Sequence, residues 1–135
     1  MMPAYVSHDS LLSMSVVVPP GWPSAVLPAG VEGWEGSAAS WLLDQCPPEF
    51  RGYTGLRRHV VVLARFAVLH VEAMQAAARR GVSEGRTALR DVADPDVVER
   101  AIATWQLESA RLTALRREVG LVEEALRGRR FRARL

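Results

Sequence analysis

Residues 94–126, DPDVVERAIATWQLESARLTALRREVGLVEEAL, decide how this chain is read. Val98, Trp105, Leu112, Val119 and Leu126 form one heptad series, and Ala101, Glu108, Leu115 and Val122 form a second between them. Apolar residues recurring three and four apart make a helix with a seam for another helix. Its start is marked in the sequence. Asp94 is placed to cap, Pro95 suits the first turn, where a missing N–H costs nothing, and Asp96 and Glu99 complement the positive helix end.

The partner for that seam is predicted immediately upstream, in a helix over 54–92. Its first half is apolar nearly all round, from Val60 to Val71, with a thin polar stripe through Arg58, Arg65 and Glu72. A helix of that kind is covered on several sides. Its second half contains Gly81 and Gly85, each costing roughly 1 kcal/mol against Ala, which makes a bend there one expectation. A tight turn at Asp94 makes the two helices antiparallel neighbours in which facing residues have numbers summing to about 188. Leu63 then meets Leu126, Ala67 meets Val119 and Val122, and Met74 meets Leu115. Trp105 falls opposite Gly81 and Gly85, which lie on one helical face and leave room for the indole. Glu108 falls near Arg79 and Arg80 and is expected to pair with one of them.

Working back, 34–45 reads as a short helix with Trp34, Ala38, Trp41 and Leu42 on one face, stopped by Pro47 and Pro48. A helix this short must dock to persist. Residues 49–55, with Gly52 and Gly55, read as a turn region. The segment 1–33 carries Pro3, Pro19, Pro20, Pro23 and Pro28 with Gly21, Gly30 and Gly33, so it is an arm and not a helix or central strand. Its Val16, Val17, Val18, Trp22, Val26 and Leu27 are too many for a free linker, so the part after Met14 is expected to lie against the helices. The first residues through Ser13 are expected to be poorly ordered, and Met14 is a candidate translation start.

A chain of 135 residues with 49% hydrophobic and 24% charged residues has the balance of one folded domain. All 17 basic residues are Arg, and Lys and Asn are absent, a bias of GC-rich coding. Cys46 is the single cysteine, which excludes an intramolecular disulfide and a multi-cysteine metal site. No basic n-region precedes an unbroken apolar run, so a secretory signal is not expected, and a cytoplasmic location is. The run 60–71 is interrupted by Arg65 and His70 and is too short to span a bilayer, so no membrane association is expected.

No catalytic, cofactor or metal signature is present. His59 and His70 are about three helical turns apart, roughly 16 Å, and cannot share a metal. His70 reads as a packing residue and His8 carries no argument. Cys46 sits at a helix C-terminus, the wrong end to lower its pKa. Asp44 and Glu49 have nothing to hold them across a substrate. An enzyme site would have to form around Trp41, Cys46, Arg58 and His59, between short helix and long pair. The feature left over is a basic cluster. The antiparallel arrangement brings Arg51, Arg57 and Arg58 near Arg127, Arg129, Arg130, Arg132 and Arg134 at one pole, where guanidinium groups could take phosphates or carboxylates. Phe131 could add a stacking surface. The competing reading is that cations at a helix C-terminus simply offset its dipole.

The segments 57–67 (RRHVVVLARFA) and 121–135 (LVEEALRGRRFRARL) resemble parts of small helical proteins of high-GC actinobacteria. The resemblance covers 22–135 and implies no activity, so no functional residue follows from it. The expected molecule is all-α: an arm over 1–33, a helical domain over 34–128 with helices at about 34–45, 54–92 and 95–126 in a long antiparallel hairpin, and a basic tail over 129–135. The uncovered apolar faces predict a homodimer completing a four-helix type of bundle. The expected function is that of a non-enzymatic helical interaction or scaffold protein, with nucleic-acid or ribosome association through the arginine cluster as the alternative. No cofactor is expected.

Overall fold

The computed structural model describes residues 18–128. Among them the regular structure is entirely helical: α1 (Trp34–Asp44), α2 (Val60–Leu89) and α3 (Pro95–Leu126), with 3-10 turns at Pro48–Gly52 and Leu56–Arg58. The expectations for residues 1–17 (a start at Met14, poorly ordered first residues, Val16 and Val17 against the helices) and for the tail 129–135 lie outside the described residues.

Chain 18–33 is tied down by specific contacts. Trp22 Nε1 donates to the Val26 carbonyl at 3.0 Å, and the Leu27 N–H donates to Ser37 Oγ at 3.0 Å. Val26 is buried in the core and the Trp22 and Trp34 rings lie 6.2 Å apart. The arm therefore docks on α1 by hydrogen bonds and aromatic packing together. Gly33, at φ +83, supplies the left-handed turn from which α1 starts. Ala38, Ala39, Leu42 and Leu43 are the buried face of α1. Docking that face is what keeps so short a helix folded.

The start of α2 corrects the expectation of a helix from residue 54. The chain makes two 3-10 turns instead, and His59, at φ −119 and ψ 69, is not helical. Between residues 54 and 59 Leu56 is the single apolar side chain, and it already packs against the core, so continuing the α-helix would bury nothing more. The helix also stops at Leu89 and not at residue 92. Val92 is 73% exposed, and its N–H closes a turn on the Leu89 carbonyl. No break interrupts α2 at Gly81–Gly85, since the helix is continuous through both glycines.

The largest interface joins α2 to α3. Arg65 meets Glu123, Glu72 meets Arg116, Gly81 meets Trp105, Gly85 meets Ile102 and Arg86 meets Glu99. Numbers fall along α3 as they rise along α2, with each pair summing to between 185 and 188. Leu63, Ala64, Ala67, Val68 and Val71 of α2 share one buried core with Leu112, Leu115, Val119 and Val122 of α3 and the α1 face. Met74 and Leu126 pack at its edges. Toward the α2–α3 connection, outside that core, Val98 and Ile102 are buried and Ile102 and Trp105 lie against Gly85.

Two side chains depart from their expected roles. Glu108 does not reach Arg79 or Arg80: it pairs with Arg111 one turn on, while Arg80 pairs with Glu84. Neighbours on the same helix surface are reached with less side-chain ordering than partners across a seam. Asp94 occupies the N-cap of α3 but its side chain makes no capping hydrogen bond, and its carbonyl accepts from the Val98 N–H at 3.0 Å.

Candidate functional site

The arginine pole is built from the turns before α2 and the last turn of α3. Arg51 forms an ion pair with Asp44 at the end of α1, and Arg57 Nη1 donates to Ser40 Oγ at 3.3 Å. Both are thus engaged by α1, not by the end of α3. Arg127 follows the last turn of α3 and its Nη2 lies 3.3 Å from Glu123 Oε2. Arg58 is exposed: its backbone N–H donates to the Gly55 carbonyl at 3.1 Å, and its guanidinium has no hydrogen bond or ion pair among the described residues. Arg129, Arg130, Arg132, Arg134 and Phe131 lie outside the described residues. Among the four arginines that can be placed, two are neutralised by acids, which lowers the local positive potential.

The same end of the molecule holds an ion pair that sequence reading did not identify. Arg65 donates from Nε and Nη2 to the two carboxylate oxygens of Glu123, at 2.8 and 2.6 Å. Glu123 is buried, and it also takes Arg127. Burial pushes the Glu123 carboxyl up, while the hydrogen bonds and charges of Arg65 and Arg127 pull it down and prevail, leaving it below the ordinary carboxylate value. One carboxylate thereby fastens the second turn of α2 to the last turn of α3. Its chemistry is structural: Arg65 and Arg127 both hold it.

No hydrogen bond or ion pair joins Trp41, Cys46, Arg58 and His59 to one another among the described residues. Cys46 is buried, and burial pushes its thiol up from the ordinary value, away from a reactive thiolate. Arg58 and His59 stand exposed in the turn leading into α2, and Trp41 is partly buried on α1. His70 is partly buried along α2, and Asp44 is taken by Arg51. Among the described residues no cluster of His, Cys, Asp or Glu could hold a metal ion. A disulfide-exchange reagent should label Cys46 slowly in the native chain and quickly once urea opens α1. Equal rates in both states would show that the thiol is accessible. The depression between α2 and α3 lined by Arg79, Val82, Gln106, Ser109, Ala110 and Thr113 is shallow and open, and the Thr113 hydroxyl is spent on the Ser109 carbonyl at 2.9 Å.

A second surface lies on α2. Val61, Val62, Phe66 and Leu69 are 37%, 48%, 41% and 51% exposed. Val62, Phe66, Leu69, Ala73 and Ala76 follow one another at alternating spacings of four and three, and all are exposed, as is Ala77. That spacing draws one straight apolar stripe, on the side of the helix away from the buried Leu63, Ala67 and Val71. Phe50 sets its ring edge-on to Phe66 at 5.7 Å and to the exposed Tyr53 at 5.5 Å, widening the stripe at its N-terminal end. By length and composition α2 could cross a membrane, yet Arg65 and Glu72 leave its flank to form ion pairs with α3. Compared with protein-family models, with curated proteins and with solved structures, the chain matches none.

Proposed function

We propose that this chain is a non-enzymatic, cytoplasmic helical interaction or scaffold protein, that it acts through contacts of a helix face, and that it assembles as a homodimer of helical hairpins in a four-helix type of bundle. The observation that carries this reading is the stripe of Val62, Phe66 and Leu69, each more than 40% exposed on a single helix face. Full burial of a side chain of this kind is worth roughly 1.5–3 kcal/mol, so a contiguous row of them favours association. Residues of that size scattered singly over a surface would carry no such meaning.

Light scattering on a sizing column tests it. At micromolar concentration and after nuclease treatment, the expected mass is twice the 14.9 kDa of one chain. Phe66→Glu combined with Leu69→Glu should give the monomer mass with unchanged helical circular dichroism. A wild-type chain running as a monomer would refute the reading.

A second reading, nucleic-acid or ribosome association, is favoured by the exposed Arg58 and by the arginines of 129–135. It requires binding to RNA or DNA that weakens steeply with salt and is lost when the chain is cut after Gly128. Binding without a salt slope, or unaffected by the cut, removes it.

A further inference from the structure

We infer that the occupant of the α2 stripe is the α2 of a second copy, lying antiparallel across a two-fold axis with facing residues whose numbers sum to about 142. This inference rests on the interaction reading above and specifies its partner and geometry. The stripe is not uniform along its length. Its N-terminal half carries the large residues Val62, Phe66 and Leu69, and its C-terminal half the small residues Ala73, Ala76 and Ala77. All of these are exposed.

Antiparallel pairing sets large on small. Phe66 lies over Ala76 of the other copy and Leu69 over its Ala73, and the two-fold repeats both contacts. Parallel pairing would set Phe66 on Phe66 and leave alanine opposite alanine, overfilled at one end and empty at the other. Charge selects the same direction. Arg58, in the turn just before α2, has no ion partner among the described residues, and Glu84 stands beyond the alanine end of the stripe, exposed and paired with Arg80. At this register Glu84 of the other copy comes over the turn before α2 that carries Arg58. In the parallel arrangement Arg58 would face Arg58, and Glu84 would face Glu84. Val62 falls beneath the stem of the other copy's Arg80, whose guanidinium is already turned to Glu84.

Two measurements test the geometry, both on full-length chains with Cys46→Ala. In the first, Phe66→Cys and Ala76→Cys are made as separate proteins, one carrying a mass tag, and oxidised alone and mixed. At the inferred register residue 66 lies about 15 Å along the axis from its own equivalent but opposite residue 76. A disulfide-linked dimer is therefore expected from the mixture only. Cross-linking of each variant alone, with none between them, would overturn the antiparallel geometry while leaving the dimer standing.

The second measurement keeps the apolar stripe intact. Arg58→Glu should raise the dimer dissociation constant roughly twofold to twentyfold, since two equivalent pairs are broken, and adding Glu84→Arg should restore it. Within one copy Arg58 precedes α2 and Glu84 lies near its far end, so a merely structural role predicts no rescue, and absence of rescue overturns the register. Wild-type chain that is monomeric throughout removes the interaction reading itself. Chain that leaves the dimer to co-sediment with phosphatidylglycerol vesicles overturns the inference in favour of a lipid surface.

Discussion

Gly81→Leu and Gly85→Leu should each destabilise the fold by about 2–4 kcal/mol, read as a lower urea midpoint at fixed protein concentration. A Cβ on Gly81 would stand 2.7 Å from Trp105 Cγ, and one on Gly85 would stand 2.6 Å from Ile102 Cδ1 and 2.7 Å from Trp105 Cζ3. These neighbours are an indole and a buried isoleucine, not the mobile end of a long side chain, so the space cannot be made without moving α3. Even alanine is caught between two effects. It gains about 1 kcal/mol of helix propensity over glycine, and loses it to the clash. Gly36→Ala is the control: nothing lies within 4 Å of its added Cβ, and the gain of about 0.5–1 kcal/mol should appear undiminished. If Gly81→Leu leaves stability unchanged, the indole has another place to go and the α2–α3 register is wrong.

The glycines mark what was legible in the sequence. The turn at Asp94 set the register, and two unfavourable helix residues four apart, falling opposite one indole downstream, agreed with it. The heptad ladder of α3 was legible for a related reason: Leu112, Leu115, Val119 and Val122 bury the face their spacing implies. Where the reading failed, local geometry outweighed periodicity. The ladder placed Ala101 in the seam, yet Ile102 is the buried residue there, because the open side of Gly85 accepts its longer side chain. The start of α2 was misplaced because Gly52, Gly55 and a non-helical His59 break a stretch with one apolar residue to anchor it.

The site was less legible than the fold. Charge composition drew attention to the arginine pole, but composition does not tell a free guanidinium from a spent one. Arg51 and Arg127 are held by acids that lie seven and four residues away in sequence. Arg65 looked like part of a solvated stripe on α2, although the 188 register sets it against Glu123 and sets Glu72 against Arg116, both of opposite charge. That signal was present and needed only the charges to be read across the seam as the apolar residues were. The apolar stripe was legible as an excess of hydrophobic residues on α2. Which side stays uncovered depends on where α1 and α3 settle, and that no single helix encodes.

Arg65→Ala should cost about 1–3 kcal/mol near neutral pH, and the loss should shrink as the pH is lowered. The substitution takes two short hydrogen bonds from a buried carboxylate and leaves Arg127, at 3.3 Å, as its remaining partner. In the folded wild type Glu123 titrates below its unfolded value. Its contribution to stability is therefore complete above the unfolded carboxylate value and is lost as the pH falls through the depressed folded one. Without Arg65, burial still pushes the carboxyl up with less to oppose it, so the folded and unfolded values approach each other and the acid slope due to Glu123 fades. Arg86 and Arg111 hold Glu99 and Glu108 down by hydrogen bonds in both proteins, so their contributions to the acid loss cancel in the comparison. Urea titrations at pH 7, 5 and 3 should then show wild type and variant converging. Glu123→Gln should cost less at pH 7 than Arg65→Ala, because Arg65 is half exposed and water can take over its donors, whereas Glu123 is sealed against α2. A gap between wild type and Arg65→Ala that stays constant across this range would mean that the stability lost came from the packing of the arginine stem and not from the charge it brings to Glu123.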